Sequence, residues 1–410
     1  MRIEPTNTPV RSSEGSDSFE AGPPRSRASN RVPRGGDIDW GLFLACLIAA
    51  RGFERLLPGI SGRQYMLISL TLLSVLVLSQ LKQSFSILSS RPMFVIVIIW
   101  MVVSCLVATR PADSLAATAT SVLLILYAMG RVRPISHTLQ TLTLACAASM
   151  APSVVGLAIP VWGIYGFWGA GSSRGYAGFF PWNSAVGYCA AAALICITIL
   201  YFNEGRRWWH VPTVAAAFLL LSAADAAAPL ASLLGAGGAL AGLAIYRRFS
   251  ALPIFIAAAG LGVSILLFAS VGDYLSLAKV AEFFGRDSDL SGRRDIWQYA
   301  VELVRGSPIF GYGSGVIWDR EWNWSSANNG YLEAALRWGL PVTFILVSVI
   351  LRAGYRLTVA SSPIISLWIF GVIANLSSSQ LVALTISGLA LWLAIAFADE
   401  DGERSSGNLR

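Results

Sequence analysis

The chain has 410 residues, 55% hydrophobic and only 13% charged, with a mean hydropathy of +0.61. Soluble globular domains carry nearer a quarter charged residues, so that class is excluded. The net charge of +7 is almost all arginine, Lys82 and Lys279 being the lysines. Its arginines are scattered between apolar runs and form no single stripe, which argues against a nucleic-acid-binding surface.

Residues 1–37 are rich in Ser, Pro, Gly, Asn and Arg with no apolar period, and are expected to be a disordered tail. Apolar runs of spanning length then recur. In lipid every backbone polar group must be bonded internally, which leaves helices or a closed barrel. The runs are continuous rather than alternating, against a barrel. The expected fold is therefore all-α, a polytopic transmembrane helical bundle of about 12 helices. In chain order the spans are expected near 40–58, 65–81, 93–108, 114–130, 138–164, 183–202, 211–224, 226–246, 252–271, 331–351, 358–376 and 381–397. Nine fall in 38–273 and three in 331–398; 274–330 is a long polar loop containing short helices, and 399–410 a polar tail. The five cysteines all lie in apolar runs, without metal-ligand spacing, and read as small buried hydrophobes.

Orientation follows from arginine bias in the short loops. With the N-terminal tail cytoplasmic, the loops holding Lys82 and Arg91, Arg131 and Arg133, Arg206 and Arg207, Arg247 and Arg248, and Arg352 and Arg356 all fall inside. Both termini are then cytoplasmic, and the long polar loop lies outside, as does 166–181. Arginines outside break the bias and ask for another reason.

The polar stretch 284–340 holds Arg286, Arg293, Arg294, Arg305, Arg320 and Arg337. Within it, 295–305 has a helical apolar period, ended by Gly306-Ser307-Pro308. Gly311-Tyr312-Gly313-Ser314-Gly315 allows either a plain turn or a close approach of backbone. Ser325-Ser326-Ala327-Asn328-Asn329 leads into an apolar helix. Asn and Ser are good caps, and a helix start suits an anion. Arginines beside it would grip a phosphate in fork geometry. Trp318, Trp322, Trp324 and Trp338 suit either sugar stacking or an interfacial aromatic belt.

In order, Ser291-Gly292-Arg293-Arg294-Asp295-Ile296-Trp297, Ser307-Pro308-Ile309-Phe310-Gly311-Tyr312-Gly313-Ser314-Gly315, Ala327-Asn328-Asn329-Gly330-Tyr331-Leu332-Glu333 and Trp338-Gly339-Leu340-Pro341 resemble the O-antigen ligase and exopolysaccharide polymerase family. The upstream segment from Arg174 to Asn183 resembles that family's earlier outer loop. The resemblance implies a bacterial inner-membrane glycosyltransferase. It would polymerise or ligate an undecaprenyl-pyrophosphate-linked glycan on the periplasmic face, passing it to an acceptor glycan or lipid without metal or other cofactor. It also implies Arg174, Arg286, Arg293 and Arg294 as pyrophosphate-binding residues and Asn329 as an acceptor-orienting one.

The family's histidine falls on Asn328, whose amide takes up no proton at neutral pH. Asn328 and Glu333 are the expected catalytic positions, with Asp319, Glu321 and Asp295 as other candidate bases. Two alternatives stay open: a weakened relative that binds lipid-linked glycan, and a polysaccharide or lipid transporter. The latter would want charges or broken helices at the bilayer midplane.

Overall fold

Helix starts follow local chemistry. Pro92 and Pro111 open their helices, where a missing N–H costs nothing and φ is already set. Asp39 caps the first helix by accepting from Leu42 N at 3.1 Å. The computed structural model describes residues 38–51, 62–90, 92–108, 110–130, 134–158, 176, 178–180, 183–205, 207–224, 226–245, 293–313, 326–377 and 385–407. The expected tail 1–37 and the expected span 252–271 lie outside these residues.

Among the described residues there are 13 helices and no strand, as the all-α expectation has it. They are α1 Trp40–Ala50, α2 Gly62–Leu78, α3 Leu81–Ser90, α4 Pro92–Leu106, α5 Pro111–Gly130, α6 Ile135–Ala158, α7 Asn183–Glu204, α8 His210–Ala224, α9 Ala227–Ile245, α10 Arg293–Gly306, α11 Gly330–Val359, α12 Ile365–Ser377 and α13 Ile386–Gly407. Four stretches are long and apolar enough to cross a membrane: Pro111–Gly130, Ile135–Leu157, Ser184–Glu204 and Gly330–Val359. Shorter apolar helices accompany them among the described residues. The chain is a multi-pass membrane protein.

Two helices form the centre. α7 packs against α6, α8, α9 and α13, and α13 against α5, α11 and α12. Ala190–Ala193 and Leu389–Leu391 are fully buried, and a helix apolar all round belongs inside a bundle. Small residues let the axes approach. A Cβ on Gly187 would sit 2.8 Å from Pro229 of α9, and one on Gly371 2.6 Å from the Leu391 Cβ of α13. The outer faces stay apolar: Met93, Ile96, Ile99 and Leu106 of α4 and Phe218 of α8 are exposed. An apolar patch of that extent marks a lipid or partner surface.

Three differences from the sequence expectation have physical causes. α3 occupies what was expected to be a loop; it is short and amphipathic, and too polar to register as a span. α11 continues past residue 351 to Val359, taking Arg352 and Arg356 into the helix. α13 continues through the expected polar tail to Gly407. The last two support each other, because Arg356 Nη1 donates to Asp399 Oδ1.

The α1 C-terminus and the starts of α7 and α13 meet at one end of the bundle, where Ala50, Arg51, Ala185, Tyr188, Thr385 and Ile386 line a small cleft. The α12 C-terminus and the α11 start share that end, joined by Asn329 Nδ2 donating to Leu376 O at 3.2 Å. At the opposite end Arg207 pairs with Glu204 at 2.6 Å, as Arg356 does with Asp399.

Candidate functional site

The first turn of α11 is organised by its own side chains. Asn329 caps it, with Oδ1 accepting from Tyr331 N and Leu332 N, both at 3.0 Å. Its amide nitrogen reaches Leu376 O, so one side chain joins the positive start of α11 to the negative end of α12. Asn328, just before it, has φ 50°, a left-handed conformation that Asn tolerates better than most residues. It is half-buried; its N–H donates to Ser326 Oγ at 3.3 Å, and its Oδ1 lies 3.3 Å from the same hydroxyl.

Glu333 lies one turn on and is 1% exposed. Its Oε2 accepts from Ala327 N at 2.8 Å, and its Oε1 from Arg337 Nε at 2.8 Å and Nη2 at 2.7 Å. The N–H groups expected to await an anion are therefore engaged at Tyr331 and Leu332, and the carboxylate beside them belongs to the protein itself.

α10 brings in the arginine motif. Its apolar face carries Ile296, Trp297, Ala300 and Val304, which pack with Ala327, Leu332, Ala335 and Leu336 into a small core separate from the main one. Trp297 Nε1 donates to Ala327 O at 2.8 Å. Arg293 and Arg294 are the first two residues of α10, one turn ahead of that tether. Asp295 follows them, exposed.

The glycine motif answers the question left open between turn and close approach. α11 is broken at Gly339, where φ 83° and ψ 171° are not helical. The break leaves the carbonyls of residues 335–338 short of helical partners. Tyr312 N donates to Leu336 O at 2.7 Å, Gly313 N to Arg337 O at 2.9 Å, and Leu340 N to Pro308 O at 2.7 Å. The stretch 308–313 thus closes off the half-helix with main-chain bonds. Gly311 has φ 66°, and a Cβ there would lie 2.5 Å from Leu336 O. The same turn is fixed to the bundle: Trp100 Nε1 donates to Ile309 O at 3.2 Å, and the Trp100 and Phe310 rings stack at 5.1 Å. Trp338, a candidate for sugar stacking or the aromatic belt, does neither. It is 1% exposed and donates to Thr118 Oγ1 at 3.3 Å.

The segment holding Tyr176 docks at the same end. Tyr176 N donates to Ala223 O of α8 at 2.7 Å, and Tyr176 Oη to Ser153 O of α6 at 2.9 Å. Burial pushes the Tyr176 phenol up, so it stays a donor. Phe179 N donates to Ser153 Oγ at 3.1 Å.

Of the residues singled out from the sequence, Asn328, Asn329 and Glu333 come together around Ala327, while Arg293 and Arg294 open α10 one turn before the Trp297 tether. Arg174, Arg286, Asp319, Glu321, Trp318, Trp322 and Trp324 lie outside the described residues. Trp297 belongs to the helical apolar period of 295–305, but its tether to Ala327 O is not predicted by that period. The available signal reaches only as far as placing it on the apolar face of α10.

Two comparisons bear on this geometry. Residues 212–347 match the family described as O-antigen ligase, a stretch that contains α10, the 326–329 loop and the broken half of α11. The chain is also 28% identical over 218 residues to the exopolysaccharide production protein ExoQ of Rhizobium meliloti (strain 1021). That match covers 47% of each chain, so it spans about half the length of the curated relative. The resemblance to the O-antigen ligase and exopolysaccharide polymerase family is borne out.

Proposed function

We propose that this chain, which carries an O-antigen ligase domain over residues 212–347, is a membrane glycosyltransferase of the inner membrane. It polymerises or ligates an undecaprenyl-pyrophosphate-linked glycan on the periplasmic face. The observation that carries the reading is the tether between α10 and the α11 start, in which Trp297, one helical turn after the Arg293-Arg294 pair, bonds Ala327 of the 326–329 loop. Polymerisation is preferred over ligation, because the matched relative is named for exopolysaccharide production.

In this reading an acceptor hydroxyl attacks the anomeric carbon of the donor glycan. The new glycosidic bond forms as the bond from that carbon to the phosphate oxygen breaks, the lipid pyrophosphate leaves with the electron pair, and the hydroxyl proton passes to the departing phosphate oxygen. Arginines placed where that negative charge grows stabilise it selectively in the transition state. Arg293 and Arg294, with Arg174 and Arg286, take this role, and Asn328 and Asn329 border the acceptor.

The test is a deletion strain. Loss of the gene is expected to shorten or abolish surface polysaccharide, and re-expression to restore it. Arg293→Ala is expected to express normally and fail to restore it. Unchanged polysaccharide length and amount in the deletion strain would sink the proposal.

Asn328 at the family's histidine position favours a second reading, a relative that binds lipid-linked glycan without turning it over. Asn328→His separates the two, since His also tolerates the left-handed conformation. Activity gained where the native protein has none favours binding alone; native activity favours the enzyme.

A further inference from the structure

We infer that Glu333 is a positioning residue, which with Arg337 holds the 326–329 loop in the shape that presents Asn328. Its catalytic readout rests on the proposed glycosyl transfer.

A general base must bring a free lone pair within hydrogen-bond reach of the proton it removes. Glu333 is 1% exposed, and both its oxygens are engaged by the protein, Oε2 by Ala327 N and Oε1 by two nitrogens of Arg337. Three of the carboxylate's roughly four acceptor sites are filled, and at 1% exposure almost no surface is left through which an acceptor hydroxyl can approach the fourth. What Glu333 does touch is the peptide just before Asn328.

The backbone around Asn328 is held on every side. Ala327 gives its N–H to Glu333 and its carbonyl to Trp297. Asn328 gives its N–H to Ser326 Oγ. Asn329 caps α11 with its side chain and accepts from Glu333 N at 2.9 Å with its carbonyl. Glu333 therefore holds the loop twice, through its N–H at Asn329 and its carboxylate at Ala327. With the neighbouring peptides fixed, Asn328 stays at φ 50°, its side chain aimed from a set point.

Arg337 holds the carboxylate in place. Its guanidinium reaches Glu333 through both Nε and Nη2, and it sits on the last turn before the break at Gly339. The carbonyl of Arg337 is in turn bonded by Gly313 N. The chain of contacts runs from the glycine motif through Arg337 and Glu333 to Ala327, so a disturbance at 311–313 is transmitted to Asn328.

Glu333→Gln keeps an acceptor for Ala327 N and loses the charge; Glu333→Ala loses both. Each variant is expressed in the deletion strain at matched membrane levels, and surface polysaccharide is quantified. Amide exchange of peptides spanning 326–332 is measured on the detergent-purified full chain. Glu333→Gln, which turns its NH2 toward Arg337 in keeping the Ala327 bond, is expected to keep roughly half or more of native output, with exchange between that of the native chain and that of Glu333→Ala. Glu333→Ala is expected to lose about tenfold or more in output and to speed exchange by about tenfold, the equivalent of one lost hydrogen bond. Arg337→Met, which leaves the carboxylate and removes its anchor, is expected to speed exchange in the same peptides and supplies the comparison if Glu333→Ala does not accumulate. Glu333→Gln as inactive as Glu333→Ala, with exchange unchanged, would overturn the inference and make the carboxylate a proton-transfer group. Native exchange in both Glu333→Ala and Arg337→Met would also overturn it. If the deletion strain shows no polysaccharide change, the glycosyl-transfer reading fails, and exchange alone decides whether Glu333 holds the loop.

Discussion

Gly339→Ala is expected to leave little detergent-stable protein. At φ 83° and ψ 171° Gly339 occupies a region essentially reserved for glycine, which costs another residue about 1–3 kcal/mol. An added Cβ would also overlap the carbonyl of Ile309, a backbone atom that cannot rotate away. Relief requires the 308–313 turn to lift off. That surrenders the bonds from Tyr312 N, Gly313 N and Leu340 N, each contributing about 1 kcal/mol. The sum exceeds the roughly 4 kcal/mol that marks exceptional single substitutions. Fluorescence-detected size exclusion of a tagged variant, followed by thermal melting in detergent, measures it. An alanine variant with native elution and melting would show that the break tolerates a side chain.

Asn329→Ala is expected to have the next largest effect, about 2–4 kcal/mol. Removing a side-chain cap costs about 0.5–2 kcal/mol. Losing the bond to the half-buried Leu376 carbonyl adds about 1–2 kcal/mol. The two losses separate by substitution. Asn329→Asp keeps an acceptor for Tyr331 N and Leu332 N and adds a favourable charge at a helix start, but sets a carboxylate against a carbonyl at Leu376. It is expected to melt between native and alanine variants. An aspartate variant melting no lower than native would mean the bridge to α12 contributes nothing; one melting with alanine would mean the bridge dominates the cap.

The bundle was legible because its signal is long and redundant. Runs such as 183–202 and 211–224 match α7 Asn183–Glu204 and α8 His210–Ala224 closely, since lipid leaves an apolar stretch few alternatives to a helix. α10 was legible for a different reason, the apolar period of DIWQYAVELVR. What escaped is tertiary in origin. Nothing in Trp338-Gly339-Leu340-Pro341 says that α11 breaks there to receive the 308–313 backbone; the pairing lies between segments far apart in sequence. Arg337 is legible as an i+4 partner of Glu333, but the bond from Ala327 N to that carboxylate is not. The capacity of 326–329 to cap a helix was readable, whereas its consumption by the protein's own groups was not. The continuation of α13 was hidden by composition: Asp, Glu and Arg read as a tail until Arg356 is seen beside Asp399.

The half-helix 330–338 belongs to two apolar cores at once. Ala334 and Trp338 face the large one, while Leu332, Ala335 and Leu336 face the small one built on α10. It therefore has no finished resting place until the translocon has released α4 and α5, which supply Trp100 and Thr118, and α12, which supplies Leu376. Assembly of this end of the bundle is consequently a late event that waits for helices on both sides. A ribosome stalled before residue 376 would leave a protein that is inserted but unassembled.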